Sequence, residues 1–277
     1  MPLKAVLASL LLAILSLAMA VPAGAQSRRL SHCIAIADAA PGIEYIQPAT
    51  WRDPVPDGAV RIGYIGHSMF LIRTGDGLSI VTDYNGYLGP TTFLPDVATM
   101  NRAHSSHWTD GVEGIGQVLR GWSDSFGLPA DHHLELGDVL IRNVTSDIRS
   151  FGTVEENGNS IFVFEAAGLC IAHLGHLHQE LNEAQYAALG RVDVLMVPVD
   201  GSYTMDLGTM MRVVSRLRSS LVLPMHWFSE ARLGSFLSGM SGQFLIERAG
   251  ASEITVSPSS LPRRPTVLVL EPRPLED

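Results

Sequence analysis

The loop Asn101-Arg102-Ala103-His104-Ser105-Ser106-His107 constrains this chain more than any other segment. A zinc-type site needs neutral imidazoles or carboxylates at fixed spacing; His104 and His107 keep that spacing, and Arg102 and Ser106 break it. Two further groups, His173-Leu174-Gly175-His176-Leu177-His178 and Pro224-Met225-His226, each stand at the end of an apolar run. Six of the ten histidines fall in these three places.

Residues 1–25 are read as a secretory signal peptide: Lys4, an apolar run from Ala5 to Val21, and Ala23-Gly24-Ala25 as the small-residue exit before Gln26. Periplasmic or secreted localisation follows as an expectation, with no membrane association after cleavage. What remains suits one domain, since such folds commonly run to about 250 residues. Residues 26–56, with four prolines, read as an N-terminal arm, and 57–277 as the domain proper. Losing Lys4 moves the formal charge from -9 to -10, which argues against nucleic acid or anionic membrane as a partner. The expected partner is a small-molecule substrate, anionic ones included; oligomeric state is not legible. An exported chain can join Cys33 to Cys170, and Cys170 can equally be a buried small hydrophobe.

Strands are expected at 60–65, 69–73 and 78–82, then at 97–100, 133–136, 139–144, 160–165 and 169–173, with Asn157-Gly158-Asn159 as a turn. The second half alternates: helix 182–189, strand 192–199, helix 206–217, strand 221–224, helix 230–237, then short strands at 244–247, 254–256 and 267–270. This pattern predicts an α/β fold of two sheets packed face to face with helices outside.

Taken in order, Gly63 to Ile72, Thr82-Asp83, the histidine loop, the strand ending His173-Leu174-Gly175, Val197-Pro198-Val199 and Leu223-Pro224-Met225-His226 resemble the metallo-β-lactamase fold superfamily. Within it the resemblance runs to ascorbate-phosphate-lactonase-like hydrolases, whose strands open on Gly-His-Ser/Ala-Phe; here Met69 intervenes before Phe70. The implied architecture is an αββα four-layer sandwich. Laying the loop motif H-x-H-x-D-H on this chain puts Arg102, His104, Ser106 and His107 at its four ligand positions. The third motif offers Asp147, the fourth His176 and the fifth His226.

The resemblance therefore implies one zinc or similar ion on His104, His107, His176 and His226, with Asp147 as ligand or supporting partner, and Arg102 as a fixed positive charge in place of a second ion. Such an ion lowers the pKa of water toward about 7 for attack on an ester, lactone or phosphoester, with Arg102 stabilising the oxyanion. His67 is a candidate donor to a substrate oxygen or a core histidine. Asp200 is a candidate ligand or general base, or a cap on the following turn. Asp83 is expected to brace the ligand loop. Four imidazoles would close a tetrahedron, and a closed site is structural. The alternative is a non-catalytic protein of the same fold that has lost its metals and binds a small anion.

Overall fold

A computed structural model describes residues 28–35, 50–125, 127–150 and 152–277. The expected signal peptide, its cleavage site and much of the arm lie outside the described residues. Two sheets form. The smaller, in the order β13-β1-β2-β3-β4-β5, comprises Glu253–Val256, Val60–Gly66, Met69–Thr74, Ser79–Val81, Val97–Met100 and Gln117–Arg120. The larger, in the order β12-β14-β11-β10-β9-β8-β7-β6, comprises Leu245–Arg248, Thr266–Val269, Leu221–Met225, Val194–Pro198, Leu169–His173, Thr153–Ala166, Val139–Ser150 and His133–Leu136. β9, β10 and β11 are parallel and buried along their whole length. Strands covered on both faces need continuous apolar sequence, which is why these three read as unbroken hydrophobic runs.

Ile62, Phe70, Ile72, Phe162, Phe164, Met196 and Leu223 fill the space between the sheets. The outer face of the large sheet carries the helices: α1 (His32–Ala35), α2 (Glu183–Leu189), α3 (Leu207–Leu217) and α4 (Glu230–Met240), through Cys33, Leu189, Val213, Val214 and Phe236. Asn182 and Asp206 start α2 and α3 as N-caps, each accepting from the amide three residues on. The outer face of the small sheet is covered, among the described residues, by loops bearing Trp51, Phe93, Trp108, Trp122 and Leu275. The expected sandwich forms, with its fourth layer built from loop aromatics.

One expectation changes and one open alternative is decided. Asn157-Gly158-Asn159 is no turn: β7 and β8 form one long hairpin running past it, with a register shift between Ser146 and Ile148 and Asn157 at φ 56°. A left-handed asparagine at a bulge carries the same residues as a hairpin turn. Cys33 and Cys170 form a disulfide, Cα atoms 5.8 Å apart, so the arm is fixed to the large sheet.

Candidate metal centre

The site lies where strands end. His67 occupies the β1–β2 turn, Asp83 follows β3, His104 and His107 follow β4, His176 and His178 follow β9, Asp200 follows β10, and His226 follows β11. Parallel β9, β10 and β11 deliver their carboxyl ends to one edge, the usual place for ligands in such sheets. A backbone bond ties the two sheets together there, His226 N donating to His67 O at 2.8 Å, and Asn101 N donating to His107 O at 3.1 Å closes the loop after β4. His67, Asp83 and His226 have φ of 54°, 44° and 56°. Left-handed backbone is unfavourable for non-glycine residues, and three such residues at one point mark a place where orientation outweighs local comfort.

His67, His104, His107 and His226 each bring one ligand atom to within 4.8 Å of the others. His107 and His226 are fully buried in the side chain, and each gives Nδ1 to a carboxylate: His107 to Asp83 Oδ2 at 2.6 Å, His226 to Asp200 Oδ1 at 3.0 Å. Ser68 Oγ also lies 2.9 Å from His107 Nδ1. The opposite nitrogens, His107 Nε2 and His226 Nε2, are buried with no hydrogen-bond partner among the described residues. Leaving a buried ring nitrogen unpaired costs about 1–3 kcal/mol, and a carboxylate on Nδ1 makes Nε2 the lone pair. Two orphaned, oriented lone pairs beside a third imidazole fit a metal cation. His104 Nε2 and His176 Nε2 lie 3.1 Å apart.

The electrostatics agree. Burial, then the neighbouring His226 and His107, pushes His67 down to about 3. Burial and His107 push His104 down to about 4, burial and Arg149 push His178 down to about 4, and burial with His107 pushes His176 lower still. These rings are neutral at pH 7 and so available as donors of lone pairs. For Asp83, burial would raise the carboxyl pKa, but His173, His107 and Asn101 bring it below the usual range. Asp200 is also held low: burial opposes, and hydrogen bonds from His226, Thr204 and Ser202 prevail.

Several expected residues take other places. Asp147 does not join the histidines. Its Oδ1 accepts from Asn157 N at 2.9 Å, and it lines a groove with Gln179, Asn182 and Gln185, because the bulge turns it into the hairpin. Arg102 Nη1 pairs with Glu155 Oε1 at 3.1 Å and the side chain is 44% exposed, so solvent and a carboxylate damp its charge. Asp200 is no base: beyond His226 it accepts from the amides of Ser202, Tyr203 and Thr204 and from Thr204 Oγ1. It caps the turn, and through His226 it also braces the site. His67, expected as a substrate donor or a core histidine, stands inside the cluster.

Other site residues were hidden in the sequence. Ser106, which reads as a lost ligand, bridges His67 Nε2 at 2.8 Å and His104 Nδ1 at 2.6 Å. Asn101 links Asp83 Oδ1 at 2.8 Å to the Ser160 amide at 2.8 Å. Exposed Phe228 and Tyr203 meet edge to face at 5.3 Å, and the Phe228 ring lies 5.0 Å from that of His226. His173 Nε2 donates to Ser68 O at 2.8 Å and is structural.

A profile described as the Beta-lactamase superfamily domain matches residues 61–226. Two UPF0173 metal-dependent hydrolases are similar. One, from Nanoarchaeum equitans, is 22% identical over 188 residues, 61% of this chain and 84% of the relative. The other, from Carboxydothermus hydrogenoformans, is 29% identical over 192 residues, 61% and 84% of the two chains. Among solved structures, a Thermotoga maritima protein assigned as a candidate Zn-dependent hydrolase of the metallo-beta-lactamase superfamily superposes with a TM-score of 0.54 at 24% identity, covering 76% of this chain and 99% of its own. A metallo hydrolase from Ignicoccus hospitalis gives 0.50 at 18% identity, covering 66% and 91%. Both structural likenesses speak to the fold.

Proposed function

The chain belongs to the Beta-lactamase superfamily domain family, and from that membership we propose that it is a metal-dependent hydrolase holding one zinc-type ion on His104, His107 and His226. The observation that carries this reading is the pair of buried Nε2 atoms on His107 and His226 with no partner among the described residues, each backed by a carboxylate on Nδ1. Three histidines leave a position open, as catalysis requires. His67 belongs to the same group, with its Nε2 engaged by Ser106, and we assign it a place beside the ion.

A bound ion of this kind supplies Lewis acidity and a water acidic enough to act as nucleophile near neutral pH. The chain's own part is orientation. Asp83 and Asp200 hold the His107 and His226 protons on Nδ1 and aim Nε2 inward. The buried walls around His107, His176 and His226 limit water. Phe228 and Tyr203 offer an apolar face at the mouth. The substrates that suit this arrangement are small esters, lactones or phosphoesters, and Gly66-His67-Ser68 keeps the lactonase-like branch as our choice within the superfamily.

Export to the periplasm belongs to the same proposal. The signal-like residues 1–25 support it, as does the Cys33–Cys170 disulfide, a bond that persists in oxidising compartments. Esterase, lactonase and phosphodiesterase assays on the protein before and after chelation, with zinc restored, test the function. Activity that chelation abolishes and zinc returns is expected; activity indifferent to chelation refutes it.

A further inference from the structure

Among the described residues, Tyr203 and Phe228 are the one pair of rings in contact in which both partners are exposed, at 65% and 57%. Their backbones are pinned at the site. Asp200 Oδ2 accepts from the amides of Tyr203 at 2.6 Å and Thr204 at 3.1 Å, while Oδ1 of the same carboxylate faces His226 Nδ1. Phe228 stands between Trp227, which packs inward with its ring 5.3 Å from that of Tyr64, and Ser229, the N-cap of α4. With His226, Trp227 and Ser229 committed, the Phe228 ring is left at the surface beside the histidines.

The two rings make a corner. They meet at 74° with centroids 5.3 Å apart, and Phe228 lies 5.0 Å from the His226 ring and 5.9 Å from that of His67. A third ring laid flat on one of them meets the edge of the other, which supplies both arrangements that aromatic groups favour. An alkyl chain gains contact area there and neither of those arrangements.

On the metal-hydrolase reading above and its lactonase-like choice, we infer that Tyr203 and Phe228 are specificity residues that select an aryl ester or aryl-fused lactone, its ring seated in this corner and its carbonyl at the histidines. The short span from Phe228 to His226 places that ring within a few bonds of the scissile carbonyl, which excludes substrates that carry their ring on a long spacer.

Dihydrocoumarin and δ-valerolactone share a six-membered lactone and differ by the fused ring, and comparing wild type with variant on each substrate cancels their unequal intrinsic reactivity. On the zinc-loaded full chain, Phe228→Ala should lower kcat/KM for dihydrocoumarin about 5- to 10-fold more than for δ-valerolactone, with Tyr203→Ala in the same direction. The difference should appear in KM, because the ring contact is made before the chemical step as well as during it. Phe228→Tyr, which keeps a ring, should retain the preference, and Phe228→Leu, which keeps only bulk, should lose it. Equal losses on the two lactones overturn the inference. In the metal-free chain, benzamide and not acetamide should shift the ring resonances of Tyr203 and Phe228, and rings indifferent to benzamide overturn it as well. A dimer seen by sedimentation and dissolved by Phe228→Ala would show that a second copy covers the corner, again overturning it. Benzamide-dependent shifts in a chain that hydrolyses neither lactone with zinc remove the hydrolase reading and leave the aryl-binding corner in place.

Discussion

Asp200 Oδ1 lies 3.0 Å from His226 Nδ1, and the same carboxylate gathers the amides of Ser202, Tyr203 and Thr204. One side chain therefore aims the proposed metal ligand His226 and shapes the loop that carries Tyr203. Asp83 does the equivalent for His107.

Removing either brace should weaken metal binding. Asp83→Asn and Asp200→Asn are each expected to raise the zinc dissociation constant by about 10- to 100-fold, because the amide no longer fixes the Nδ1 proton. Competition against a chromophoric chelator measures this. Wild-type affinity in both variants would mean that the carboxylates serve packing alone.

Acid should destabilise the metal-free protein well before the carboxylates titrate. His67, His104 and His178 are held at about 3, 4 and 4 in the folded chain, against 6.5 for an ordinary histidine. Between those values the unfolded chain binds more protons, so stability falls as pH falls from about 6.5 towards 4. Asp83 and Asp200, held low, keep their contribution throughout that window and lose it only at lower pH. Thermal unfolding at pH 7, 6, 5 and 4 should show a steady decline; a flat or rising midpoint contradicts these environments.

Gly175 has φ +60°, and a Cβ there would stand 2.4 Å from Asn101 Nδ2 and 2.7 Å from Asn159 Oδ1. Asn101 braces Asp83, and Asn159 Oδ1 accepts from the His176 amide at 2.9 Å. Gly175→Ala is expected to cost at least about 1–3 kcal/mol of stability and to lower zinc affinity as well. Urea unfolding and zinc titration of the same sample separate the two effects.

The disulfide should matter to the whole domain. Cys33 and Cys170 are 137 residues apart in sequence and both are buried. Cys33→Ser with Cys170→Ala is expected to lower stability by about 2–5 kcal/mol, read as a fall in the urea midpoint. An unchanged midpoint would show that α1 docks on its packing alone.

Much of this arrangement is legible in the sequence, and the exceptions have physical causes. The apolar runs of β9, β10 and β11 announce strands, and Asn182 and Asp206 announce helix starts. His104, His107 and His226 stand out because ligand spacing and strand ends are local properties. Asp147 misleads because a bulge at Ser146–Ile148 decides which way it faces, and a bulge leaves no reliable trace in one strand's sequence. Arg102 misleads because its partner, Glu155, comes from the far hairpin. Ser106 looks like a deletion until His67 is seen across from it, on a turn of the neighbouring strands.

The central claim is a single ion on three histidines, and metal stoichiometry tests it most directly. The purified protein, stripped with chelator and reloaded with zinc, should hold one ion per chain by elemental analysis, and His107→Ala and His226→Ala, each folded, should hold none. Two ions in the unmodified chain, or one ion still retained by both variants, would contradict the account.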